Sequence, residues 1–246
     1  MSDNMRLRVR FEKTGAIRYI GHLDVMRFFQ KCLRRAEIDV AFTGGFSPHM
    51  IMTFAQPLSV GLESHGEYMD IEVHSVTDSQ DMLERMNAAS VPEIKIVSVK
   101  RLPENAGNAM ASVAAAKYLV SFREGRTPAL FKEDPARVNE AISEFLSKET
   151  IPYVKEGKKG TREVDLRPGI FEFFVKEDRS LEMLLEASSG DNVKPAQVLE
   201  ALLALHDDSL SENALQISRL DTYTRKETED GSLGELLSMD EVGEIF

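Results

Sequence analysis

Alternating and helix-periodic apolar residues divide the first hundred residues into predicted strands and helices. Leu7, Val9 and Phe11 alternate with arginines over residues 5–11, which predicts a half-buried strand. Over residues 22–36 the apolar side chains recur at i, i+3, i+4 and i+7, as in an amphipathic helix. The same reasoning predicts strands at 38–42, 68–73 and 93–100 and a helix at 78–88.

The second half of the chain predicts the same order of elements. Its patterns predict strands at 118–122, 151–154, 169–175, 181–186 and 214–222, with a hairpin joining the third and fourth, and helices at 135–147 and 194–205. Each half therefore reads strand–helix–strand, one or two strands, then helix–strand, which is the split βαβ plan. The sequence predicts an α+β fold with two tandem ferredoxin-like subdomains.

Composition shifts suggest where these subdomains begin and end. We predict an N-terminal ferredoxin-like subdomain over 1–103, a linker over 104–115 and a C-terminal ferredoxin-like subdomain over 116–225. The linker is rich in asparagine and glycine. From Lys226 onward the chain holds one lysine and seven acidic residues with little apolar patterning. Residues 226–246 are therefore expected to form an acidic, mobile tail.

The charge is unevenly distributed along the chain. Its net value is −11, yet residues 1–50 carry 9 basic and 5 acidic side chains. A local basic surface can bind phosphate groups even when the whole chain is acidic. Equally, the basic start can neutralise acidic residues elsewhere in the fold.

The sequence also indicates a compartment. No apolar run approaches the roughly 20 residues of a membrane helix, and the N-terminal residues lack the apolar stretch of a signal peptide. A single cysteine, Cys32, cannot form an internal disulfide. We expect a cytoplasmic protein with no membrane partner.

Two loops of unusual composition, GHLD at 21–24 and GGFSPH at 44–49, carry the candidate chemistry. In a split βαβ unit the first two strands are parallel, so the loops that follow them are expected to meet in one pocket. The N–H groups of a helix start attract anions, glycines admit a ligand close to the backbone, and two histidines could bind phosphate, pass a proton or hold a metal. The candidate ligand-binding residues are His22, Asp24, Gly44, Gly45, Phe46, Ser47 and His49.

Basic residues form a second candidate set on the polar side of the first helix. The phosphate-contact candidates are Arg27, Lys31, Arg34 and Arg35. The alternative for both sets is structural: an acid at a helix start is stabilising by itself, Gly-Gly before proline is ordinary turn chemistry, and most basic stripes are solvated surface.

The arginines of the first strand have an explanation without a ligand. If this strand pairs with 68–73, then Arg6, Arg8 and Arg10 face Tyr68, Asp70 and Glu72, and cross-strand ion pairs account for both sets. This face also lacks the aromatic platform of an RNA-recognition motif.

Several enzyme classes lack their motifs in this sequence. There is no Walker loop, no GxGxxG after a strand, no GxSxG elbow and no cysteine cluster for zinc or iron–sulfur. A radical-SAM cluster would need several cysteines, and this chain has one. We therefore predict no metal and no cofactor.

At these motifs the chain resembles a known family. FEKTGAIRYIGHLD, GGFSPH, PLSVGLES and EYMDIE, which contains Glu67 and Asp70, resemble the radical-SAM-linked domain of unknown function. That family occurs alone or at the C-terminus of cobalamin-binding radical SAM proteins, and the resemblance covers residues 5–225. VDLRPGI at 164–170 extends it into the second half and adds Asp165 and Arg167 as candidates. Met50 departs from the pattern, where proline is expected.

The resemblance implies a partner more than a reaction. It implies a radical SAM protein as partner, and RNA or the ribosome as well, because family members lie near genes for an E/G-type ribonuclease and a ribosomal protein. The leading hypothesis is a non-catalytic accessory or substrate-binding protein for a radical SAM enzyme in tRNA or rRNA modification.

Two alternatives stay open. One is an RNA endonuclease-like enzyme using His22 and His49, since tandem ferredoxin-like domains with a glycine-rich loop are also similar to CRISPR repeat-associated RNA endonucleases. The other is a protein–protein scaffold with no nucleic-acid ligand.

Overall fold

A computed structural model describes residues 4–157, 160–226, 228 and 234–246. The fold is mixed α+β, with a large mixed sheet and five α helices among these residues. The strands are β1 (Met5–Lys13), β2 (Met52–Phe54), β3 (Glu63–Val73), β4 (Ile96–Arg101), β5 (Ala115–Phe122), β6 (Pro152–Gly157), β7 (Gly160–Asp165), β8 (Ile170–Val175), β9 (Leu181–Glu186), β10 (Leu215–Arg225) and β11 (Leu236–Ser238). The helices are α1 (His22–Arg35), α2 (Ser79–Ala88), α3 (Ala109–Ser112), α4 (Pro135–Leu146) and α5 (Pro195–Ala204).

The chain folds as two compact units. The first contains Met1–Ala114 together with Arg219–Phe246, and the second contains Ala115–Ser218. Strand β10 crosses from the second unit into the first. The C-terminal residues therefore belong to the same unit as the N-terminal half.

In the first unit, β1 is the centre of an antiparallel sheet. It pairs with β4 on one side and with β3 on the other, where Met5 lies opposite Val73 and Arg10 opposite Tyr68. The predicted pairing of the first strand with 68–73 is confirmed. The apolar side of β1 is fully buried and belongs to one core with the apolar stripe of α1. That helix begins and ends within one residue of its predicted bounds.

The predicted strand over 38–42 is wrong. This segment makes only isolated bridges, Val40 with Val73 and Phe42 with Met50, and the strand that pairs with β3 after α1 is β2. Ala41 donates its N–H to the carbonyl of Glu72, and Glu72 donates to the carbonyl of Ile51. Ile38, Val40 and Ala41 are buried without forming a ladder, whereas Phe42 is exposed. Strand propensity reflects packing as much as backbone pairing.

The polar side of β1 is covered by the C-terminal segment. Arg8 is 2% exposed and holds Asp70 through two hydrogen bonds of 2.8 and 3.0 Å, which confirms that predicted cross-strand pair. Arg8 also donates to the carbonyl of Met239, whose side chain is buried. Arg6 and Arg10 also lie opposite Glu72 and Tyr68 as predicted, but their partners differ from the expected cross-strand ion pairs. Arg6 donates to backbone carbonyls at 103–106, and Arg10 lies over the Tyr68 ring and 3.8 Å from Asp221.

Residues 234–246, expected to belong to a mobile tail, are packed onto the first unit. Strand β11 pairs with β10, and the backbones of Arg101 and Glu244 exchange two hydrogen bonds. Lys100 lies 3.1 Å from Asp240, which neutralises one of the acidic residues that suggested disorder. Residues 227 and 229–233 lie outside the described residues.

In the second unit, β5, β9 and β8 form an antiparallel sheet in that order. The predicted hairpin of 169–175 with 181–186 is confirmed by the pairing of β8 with β9. Strands β6 and β7 form a separate two-stranded sheet, and only the first of them was predicted. The helices in the described part of the chain are all too short or too polar to cross a lipid bilayer.

Candidate functional site

His22 is the first residue of α1 and lines a small cavity in the first unit. Its ring meets the ring of Phe54 edge-on, with the centroids 5.1 Å apart. The cavity has a volume of about 20 Å³ and is also lined by Lys13 and Glu67. This volume is enough for a single water molecule but not for a substrate.

The charged groups at this cavity are buried and satisfied. Lys13 donates to the carbonyl of Ile20 at 3.0 Å and to that of Arg18 at 3.4 Å. Burial lowers the pKa of Lys13, and the nearby Glu67 carboxylate opposes that shift. Glu67 accepts a hydrogen bond of 2.9 Å from Arg219, and both side chains are less than 10% exposed.

This arrangement holds the start of α1 in place. Lys13 ties down the chain at Ile20, two residues before His22. The sequence analysis named Glu67 only as part of a motif and missed Lys13 and Arg219. A signal for Lys13 existed, because it continues the apolar side of β1, where a buried charge requires partners.

The GGFSPH loop is a closed turn on the surface. Thr43 Oγ1 accepts the N–H of His49 at 3.1 Å and also lies 3.1 Å from the Nδ1 atom of the same residue. Gly45 has φ of 97°, a conformation that favours glycine. Phe46 is fully exposed. The turn therefore fixes His49 and holds the Phe46 ring in solvent.

The expected shared pocket of 21–24 and 44–49 does not form. The chain before α1 is tied to Lys13, which lies opposite Ser64 at the start of β3. The loop instead leaves the sheet beside Glu72, near the end of β3. Since β2 rather than 38–42 forms the ladder with β3, the loop precedes the second strand instead of following it. The His22 ring packs on Phe54, which lies opposite Met69, and the cavity beside it is lined by no residue of 44–49.

Some basic side chains of α1 make hydrogen bonds or ion pairs within the protein, and others do not. Arg27 lies 3.2 Å from Asp24, with both side chains more than 60% exposed, and Arg35 donates to the carbonyl of Ala89 at 2.7 Å. Lys31 and Arg34 are exposed and make no side-chain hydrogen bond or ion pair with the described residues.

These cations and the GGFSPH loop lie towards the same end of the first unit. Helix α1 begins beside the end of β1 and leads, through 36–40, to the bridge between Val40 and Val73. That bridge lies opposite Met5, at the start of β1. The loop leaves the sheet at this same end. We call Lys31, Arg34, Phe46 and His49 the α1–loop surface.

The second-half candidates support local structure. Asp165 accepts the N–H groups of Ile151 at 2.7 Å and of Arg167 at 2.9 Å. The Arg167 side chain donates to the carbonyls of Leu146 and Ile170. These hydrogen bonds stabilise the turn after β7.

A protein-family model matches most of the chain. The chain matches the model of a family described as "Uncharacterized protein conserved in bacteria (DUF2344)" over residues 6–195. A search among curated proteins found no match. Within the described ranges, no three His, Cys, Asp or Glu side chains are grouped so that they could hold a metal ion.

Proposed function

We propose that this chain, which belongs to the bacterial family DUF2344, is a non-catalytic accessory protein that binds RNA for a radical SAM enzyme in the cytoplasm. The observation that carries the proposal is the α1–loop surface. Towards one end of the first unit, it presents a fully exposed aromatic ring and two cations that have no side-chain partner among the described residues.

This combination suits single-stranded RNA. Lys31 and Arg34 offer charge to phosphates without first breaking an ion pair. An exposed ring such as Phe46 can stack on an unpaired base, and such stacking contributes about 1–3 kcal/mol per base. His49 is positioned by Thr43 and offers a ring nitrogen at the same loop.

The non-catalytic role is supported by the state of the two histidines. His22 lines a cavity with room for one water molecule, and His49 is not among the residues that line it. An RNA endonuclease mechanism in which the imidazoles of His22 and His49 act together therefore gains no support from the structure. The radical SAM partner rests on the resemblance of GHLD, GGFSPH, PLSVGLES and EYMDIE to the radical-SAM-linked family.

We also propose that the two units follow the ferredoxin-like plan in tandem. In the first unit, the order β4-β1-β3 with β2 on the far side of β3 is that of a split βαβ sheet. In the second, the order β8-β9-β5 with β10 as the last strand of the motif supports the same plan, and β6–β7 is then an inserted hairpin.

Titration of RNA binding with salt tests the RNA role. We expect a fluorescently labelled single-stranded RNA to bind the full chain, with affinity falling steeply from 50 to 200 mM salt as counterions are released. A protein–protein scaffold would show no affinity to titrate. Shortened RNA after incubation would favour the endonuclease.

Affinity purification from the native host tests the partner. The tagged chain should recover a radical SAM protein, and ribonuclease treatment during the purification should show whether RNA bridges the two. If RNA binds but no radical SAM protein is recovered, the partner is wrong and the RNA role stands.

A further inference from the structure

The second unit contains a larger cavity than the one beside His22. Its volume is about 280 Å³, and it lies between the end of α4, β6 and α5. Phe145 and Ile151 are buried in its wall, while Ala201, Ala204 and Leu205 line it from α5. Binding sites for drug-sized ligands start at roughly 300 Å³. This cavity therefore suits one aromatic ring or one branched aliphatic group.

An exposed carboxylate with one hydrogen-bond donor lies at the cavity. Tyr153 donates its hydroxyl proton to the Oε2 atom of Glu200 at 2.6 Å, and both residues line the cavity. The Oε1 atom of Glu200 has no hydrogen-bond partner among the described residues. The carboxylate is thus oriented by one partner and keeps an oxygen for another.

The electrostatics around the hydroxyl are negative. Burial raises the pKa of Tyr153 to about 12, and the carboxylates of Glu200 and Glu156 add to the shift. Lys148, at the end of α4, is the cation among the lining residues. It is exposed and is held by no side-chain hydrogen bond or ion pair with the described residues, so its ammonium can move into solvent, whereas the exposed Glu200 is held by the hydrogen bond from Tyr153.

We infer that this cavity binds a small apolar amine, with its hydrocarbon group against Phe145 and Ile151 and its ammonium group on Glu200. An apolar wall with a few convergent polar groups is the usual form of a small-molecule site. A charge-assisted hydrogen bond to a preoriented carboxylate is about twice as strong as a neutral one. The inference does not depend on RNA binding, which involves the first unit.

The test is a titration of the isotope-labelled full chain followed by NMR, with 2-phenylethylamine as probe and 3-phenylpropanoate as its acidic counterpart. We expect the amine to shift the backbone amides of 148–154 and 200–205, and to bind at least tenfold more tightly than the acid. Glu200→Gln, which keeps the shape of the side chain, should weaken amine binding about tenfold. Glu144→Gln, an exposed carboxylate outside the cavity, should not change it.

A second variant keeps the inference falsifiable. Ala201→Phe should fill the cavity and abolish the shifts, while the rest of its spectrum shows whether it folds. The inference is overturned if the amine causes no shifts at these amides, if the acid binds as tightly as the amine, or if Glu200→Gln binds the amine as well as the unchanged chain does.

Discussion

At Gly66, strand β10 approaches β3 so closely that a Cβ atom would lie 2.4 Å from the Cα of Asp221. Because backbone atoms cannot move aside easily, Gly66→Ala should destabilise the fold by about 1–3 kcal/mol or more. Gly44→Ala is the control, since no atom lies within 4 Å of its added methyl group. If the two variants unfold at equal urea concentrations, β3 and β10 do not approach each other at Gly66 as closely as described.

The pair of Glu67 and Arg219 is a second test at this scale. Removing one partner of a buried ion pair leaves the other charge uncompensated, so Glu67→Gln should cost about 3–5 kcal/mol. Asp24→Asn breaks the exposed pair with Arg27 and should cost less than about 1 kcal/mol. Denaturant unfolding measures the free energy of unfolding of both variants. Similar losses of stability in the two would contradict the burial of the Glu67–Arg219 pair.

Lys13 should make stability depend on pH. Its pKa is lowered in the folded state from an ordinary value of about 10.4, so between the two pKa values the unfolded chain binds more protons. The stability contributed by this group therefore rises with pH in that range. Relative to Lys13→Met, the unchanged protein should gain stability as the pH rises towards the ordinary pKa of lysine. If the free energies of unfolding of the two proteins change with pH in parallel, the lowered pKa of Lys13 is refuted.

Sequence reasoning reached some of these residues and not others. The Arg8–Asp70 pair followed from the alternation of β1 and of its partner strand, because cross-strand neighbours are fixed once the pairing is known. Arg219 could not be predicted as the partner of Glu67, since the two are 152 positions apart and meet only when β10 joins the first unit.

At the scale of elements, the C-terminal segment gives the sharpest prediction. Met239 is fully buried beneath the polar side of β1, so Met239→Ala should cost about 2–5 kcal/mol. Ile245→Ala, at a side chain that is 70% exposed, should change stability by less than about 0.5 kcal/mol. If thermal melts show the same small effect for both, residues 234–246 do not pack in solution as described.

Elements with strong internal periodicity were predictable, and elements defined by a distant partner were not. Helix α1 carries its own apolar stripe, so its bounds followed from the sequence. Strand β2 has three residues and is defined only by its pairing with β3, whereas the more apolar 38–42 packs without a ladder. The acidic C-terminal segment is ordered by Lys100 and Arg101, which lie far away in the chain.

At the scale of the whole molecule, net charge conceals the local surface. A chain with net charge −11 would be repelled by RNA if its charge were evenly spread. We instead propose that RNA binds to the α1–loop surface, where Lys31 and Arg34 have no acidic partners among the described residues. The residues of this surface follow from the sequence and remain a prediction, while the cavity beside His22 contains no residue of the loop at 44–49.

The most direct test compares two charge reversals of equal size. Lys31→Glu with Arg34→Glu should weaken binding of a labelled single-stranded RNA at least tenfold and lower the salt slope by about one for each lost phosphate contact. Lys132→Glu with Arg137→Glu changes the net charge equally at exposed residues of the second unit and should leave the slope unchanged. Equal losses of affinity and slope in the two double variants would contradict the assignment of RNA binding to the α1–loop surface.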